Sequence, residues 1–96
     1  MIVSFDYGNT ISSDEPFFLS FIESLSKGGA ACYMVTGVGT HKSGSIKEKE
    51  YRPRKEFSLR LQHRGVPFLI HWCHADHKPV KGYPSKIEVC RKLGVH

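Results

Sequence analysis

Long apolar runs are missing from this chain of 96 residues: none approaches the roughly 18 needed to span a bilayer. The opening MIVSFDYGNT meets acidic Asp6 almost at once, so neither a membrane span nor a signal peptide is expected. Paired cysteines are missing too. Cys32, Cys73 and Cys90 form an odd set without a CxxC step, and two of them stand in apolar stretches, where cysteine behaves as a small hydrophobe. That argues against a disulfide framework and makes a reducing cytoplasm the expected compartment. Internal repeats and low-complexity tracts are absent, which excludes a solenoid. Acidic residues are scarce, nine against fourteen Lys and Arg, for a net charge of +5.

The positive excess is concentrated between residues 41 and 64, where Lys42, Lys47, Lys49, Arg52, Arg54, Lys55, Arg60 and Arg64 face only Glu48, Glu50 and Glu56. Such a segment attracts phosphate, whether on a nucleic acid or on a phosphorylated small molecule. It also fits a solvated helix face, because acids are interleaved with the bases.

A chain of this length makes one domain, residues 1–96, with a thin core. Residues 2–5 (IVSF) read as a strand ending in the turn-rich DYGN. Asp14 or Glu15 before Pro16 opens a helix in which Phe17, Phe18, Phe21, Ile22 and Leu25 recur at helical spacing until Gly28-Gly29 stops it. Residues 31–35 (ACYMV) are a continuous apolar run ending at Thr36-Gly37, as in a parallel strand covered on both faces. Residues 38–52 are polar and predict a loop or flap, followed by a helix through Phe57, Leu59 and Leu61. Residues 66–73 (VPFLIHWC) predict a third strand, and Ser85–Leu93 a third helix closed by Gly94. The order βαβαβα implies a three-layer, Rossmann-like α/β fold with a parallel sheet and a binding site at the carboxyl ends of its strands.

Asp6, directly after the first strand, is where such a sheet presents a carboxylate to a ligand. FDYGNT resembles the first motif of the haloacid dehalogenase (HAD) superfamily, whose usual form is DxDxT. YMVTG resembles the second motif, and KGYPSKIEVCRKLGV the third. The resemblance implies a HAD-like, capless, minimal or truncated Mg²⁺-dependent phosphohydrolase or phosphotransferase. In it Asp6 would be the nucleophile toward phosphorus, Thr36 would bond a phosphoryl oxygen, and Lys81 would neutralise charge, with Lys78 and Lys86 as competitors for that role. Gly8, Asn9, Thr10, Gly37 and Lys78 would line the phosphate. Asp6 and the Gly8 carbonyl would hold Mg²⁺.

The chain departs from that pattern in two places. Gly8 stands at the second acidic position, so the group that protonates the leaving oxygen is missing, a loss worth about 10²- to 10⁴-fold. The strand and acidic pair of the fourth motif do not follow the third helix before His96. Turnover is therefore expected to be weak or degenerate. The competing expectation is an inactive binding module that engages a phosphate-bearing ligand, nucleic acid or a protein through the basic 41–64 segment. Without a fourth-motif strand, the strand at residues 2–5 is expected at a sheet edge, where a homodimer could pair. HWCHADH carries zinc-type donors at His71, Cys73, His74, Asp76 and His77. Strand alternation splits them between two faces, and zinc is not expected.

Overall fold

The computed structural model describes residues 1–75 and 78–95. Its elements run β1 (Ile2–Phe5), a 3₁₀ turn (Ile11–Ser13), α1 (Glu15–Lys27), β2 (Ala31–Val38), α2 (Glu48–His63), β3 (Leu69–His74) and α3 (Lys86–Leu93). The strands form one parallel sheet in the order β1-β2-β3, with Phe5 level with Met34 and Thr36 level with Trp72. The α/β class and the parallel sheet match the sequence reading.

Local chemistry sets most boundaries. Asp14 Oδ1 accepts from the Phe17 amide at 3.2 Å, capping α1, and Pro16 sits in the first turn, where its missing N–H is not needed. Ser85 caps α3 by accepting from the Glu88 amide at 3.2 Å, and Gly94, at φ 80°, ends it in the left-handed region.

Two predicted elements shift. Helix α2 starts at Glu48, well before its apolar signal, and the shorter connection before it folds as a tight hairpin-like flap. There the His41 amide donates to the Ser45 carbonyl at 2.8 Å and Thr40 bridges Ile46. Strand β3 starts at Leu69 rather than residue 66, because Pro67 has no N–H for a ladder; Val66 and Phe68 are buried all the same.

The two faces are covered unequally. Helices α1 and α2 both connect neighbouring strands in the same sense and lie together on one face. There Phe5, Ile22, Met34, Phe57, Leu61 and Phe68 belong to the larger core. On the other face α3 packs on β2 and β3 through a small cluster of Val35, Cys73 and Val89. Strand alternation sorts β2 accordingly: Cys32 and Met34 face α1 and α2, and Val35 faces α3. Strand β1 is an edge of the sheet, as expected, and its Ile2, Val3 and Ser4 line a hollow with Met1 and Val95.

Candidate functional site

The carboxyl ends of the three strands carry most of the molecule's polar chemistry. Asp6 leaves β1 two residues after Ser4, whose Oγ lies 3.9 Å from Cys90 Sγ of α3, so alternation directs Asp6 to the α3 face. There its Oδ2 accepts from Lys86 Nζ at 2.8 Å, in an ion pair whose side chains are each about one third exposed. The lysine at Asp6 is thus Lys86, the first residue of α3. The favoured Lys81 lies instead in the preceding loop, exposed, beside a shallow hollow shared with the flap. Lys78 is exposed in the same loop. A Cβ on Gly37 would meet Lys86 Cε at 3.2 Å and the His74 carbonyl at 3.1 Å, both tighter than ordinary contact, so a side chain here would crowd the lysine stem.

Thr36 is fully buried and turned to the opposite face, where its Oγ1 accepts from Arg54 Nε of α2 at 2.7 Å. Thr36 and Asp6 therefore share the carboxyl edge of adjacent parallel strands without forming one cluster with Lys81. Arg54 also donates through Nη1 to the Glu50 carbonyl at 2.8 Å and lies over the ring of Tyr7, 4.9 Å from its centroid. Tyr7 in turn donates to Glu15 Oε2, and Glu15 Oε1 takes Arg60 Nη1 at 3.1 Å. Burial and the Glu15 carboxylate push the Tyr7 phenol up to about 12.

The loop after Asp6 is wound by its own hydrogen bonds. Asn9 adopts φ 59°, its amide donates to Ser12 Oγ at 3.1 Å, and the Thr10 amide donates to the Tyr7 carbonyl at 3.3 Å. The Asn9 and Thr10 amides are engaged in the turn. Among the described residues the amide and carbonyl of Gly8 take no hydrogen bond, and a Cβ there would stand 3.9 Å from Arg54 Nη2.

Four arginines of the basic 41–64 segment are engaged within the protein. Arg52 pairs with Glu48 at 2.9 Å, while Arg60 and Arg64 reach Glu15 and Glu23 of α1 at 3.1 and 3.5 Å, and Arg54 is buried. Arg54 is the residue that sequence reasoning counts only as part of a charge run. The available signal is its place at positions 54, 57, 58 and 61, the helical stripe that includes Phe57 and Leu61.

At HWCHADH, Trp72 stacks on Tyr51 of α2 and His71 packs edge-on to Tyr33, so the expected alternation holds. Cys73 is fully buried, and its thiol is pushed up to about 11 by desolvation. Among the described residues His71 Nε2 is buried without a hydrogen-bond partner, and His74 Nδ1 lies 2.8 Å from the Ala75 carbonyl. Asp76 and His77 lie outside the described residues. Among the described residues no group of three His, Cys, Asp or Glu side chains is arranged to hold a metal. For Mg²⁺ the expected donors are the Asp6 carboxylate, already sharing Oδ2 with Lys86, and the unengaged Gly8 carbonyl.

No helix among the described residues is long and apolar enough to cross a membrane. No family model, curated protein or solved structure matches this chain.

Proposed function

We propose that this chain is a HAD-like, Mg²⁺-dependent phosphohydrolase or phosphotransferase of low turnover, with Asp6 as its nucleophile. The observation that supports it is the Asp6–Lys86 pair at the carboxyl edge of a parallel sheet, part-exposed and directly after the first strand. Lys86 holds one carboxylate oxygen and leaves the other for attack on phosphorus. The ester P–O bond breaks as the aspartyl-phosphate forms, and the departing alkoxide takes its proton from water because Gly8 supplies no acid. Water then hydrolyses the acyl phosphate, or an acceptor hydroxyl takes the phosphoryl group. A bound Mg²⁺ would neutralise charge on the phosphoryl oxygens. The lysine supplies the same kind of stabilisation from the protein side.

Incubating the chain with p-nitrophenyl phosphate and Mg²⁺, followed by borohydride trapping and peptide mass analysis, tests this reading. Slow turnover with the adduct at Asp6, lost in Asp6→Asn and reduced in Lys86→Gln, is expected. Equal rates for wild type and Asp6→Asn would remove Asp6 as nucleophile.

A second reading, a phosphate-binding module without turnover, is favoured by Gly8 at the acid position and by the buried cation beside it.

A further inference from the structure

Arg54 is a cation enclosed with only neutral acceptors. Its residue is 8% exposed, so the guanidinium has lost most of its water, while the unpaired Nη2 is not fully shut off from solvent. Desolvating a charge is costly unless an opposite charge compensates it, and for arginine the usual compensation is a carboxylate or phosphate gripped by two N–H groups. Among the described residues no carboxylate lies within ion-pair distance of Arg54. The nearby acids are committed elsewhere: Glu15 takes Tyr7 and Arg60, and the Glu50 carboxylate takes the Gly39 amide. Thr36 Oγ1 and the Glu50 carbonyl fix the orientation of the guanidinium but carry no net charge. The Tyr7 ring offers only its quadrupole.

One edge of the fork is left over. Nη2 makes no hydrogen bond among the described residues, and a Cβ on Gly8 would stand 3.9 Å from it, in ordinary contact, with no other atom crowding that position. The amide of Gly8 is also unengaged among the described residues.

We infer that Arg54 and the Gly8 loop form an oxyanion subsite that takes a phosphoryl group, the anion supplying the negative charge that the protein does not. The phosphoryl class follows from the donors: a planar cationic fork, fixed in direction by two hydrogen bonds, suits a multiply charged oxyanion. Arg54 here is a ligand-binding residue, and the subsite stands whether or not Asp6 performs chemistry.

The test is a titration of the intact chain with inorganic phosphate, followed by ³¹P line-broadening and by the unfolding midpoint, with phenyl phosphate and acetate in parallel arms. Wild type should bind phosphate and be stabilised by it. Arg54→Lys should bind on the order of tenfold more weakly, because the charge survives but the fork does not. Gly8→Asp is the sharper variant. It tethers a carboxylate where the anion would sit, so it should abolish phosphate binding and raise the midpoint of the ligand-free protein. It also keeps the test valid if Arg54→Lys fails to fold. Unchanged phosphate affinity in Gly8→Asp overturns the subsite, and acetate protection equal to that of phosphate overturns the phosphoryl assignment. Tighter binding of phenyl phosphate than of inorganic phosphate supports an ester as the occupant, and the reverse supports free phosphate. Phosphate binding by a wild type without turnover supports the subsite while removing the Asp6 mechanism.

Discussion

The two faces of the sheet treat charge in opposite ways. On the α1 and α2 side, where the core is thick, aromatic and aliphatic, the Arg54 guanidinium is held among the described residues by two neutral oxygens and the Tyr7 ring. On the α3 side the core is a small cluster, and the charge at the edge is a part-exposed pair in which Lys86 compensates Asp6. A thick core can fix an uncompensated cation because moving it would disrupt many contacts. A thin layer has no such hold, and water and a counter-ion do the stabilising instead. The first arrangement is the one that the proposed anion would complete; the second leaves a part-exposed carboxylate already paired with a lysine.

The core difference should give the largest effect. Phe57→Ala, on a fully buried ring, is expected to cost about 3–5 kcal/mol, whereas Val89→Ala under α3 should cost about 1.5 kcal/mol. Urea unfolding of the two variants measures both, and equal losses would break the comparison. Next comes the Tyr7 phenol at the rim of the thick side. Its folded pKa of about 12 lies above the ordinary value of 10, so the folded state holds the proton more tightly. The associated stability is fully present below pH 10 and is lost as pH rises from 10 through 12, on the order of 2 kcal/mol across the window. Unfolding at stepped alkaline pH should show this loss, and Tyr7→Phe should flatten it. A slope unchanged in Tyr7→Phe would place the alkaline sensitivity elsewhere. The smallest effect is expected on the thin side: Lys86→Gln should shift stability by less than about 1 kcal/mol, because the ion pair is exposed to solvent and the lysine occupies a helix N-terminus, where a cation is unfavourable. A loss above about 2 kcal/mol would mean that the α3 side depends on charge as much as the other side depends on packing.

Much of the architecture was legible because it is written locally. The α1 cap at Asp14, the stop at Gly28, the apolar run of β2 and the Ser85–Gly94 bracket of α3 all follow from residue chemistry over a few positions. The start of α2 was not legible, since Glu48 to Pro53 is polar, carries a proline and is held in helix by the buried stripe from Arg54 to Leu61. Phe17 and Phe21 belong by spacing to the apolar stripe of α1, yet they remain 55% and 41% exposed and stack on each other at its rim. At the site, Asp6 could be located from its place after β1. Lys86 could not be chosen over Lys81, because the choice depends on how the first turn of α3 crosses the strand ends above Gly37. Arg54 was hidden by its seven basic neighbours between residues 41 and 64, and only tertiary packing separates it from them.

The stack of Trp72 on Tyr51, with ring centroids 5.2 Å apart, joins β3 to α2 one helical turn before Arg54. Trp72 is the chain's single tryptophan. Its emission therefore comes from one known location, the seam between the sheet and the helix that carries the buried cation. Any change in how α2 sits on the sheet alters the indole's surroundings directly, so intrinsic fluorescence reads this seam without a label and without interference from another indole.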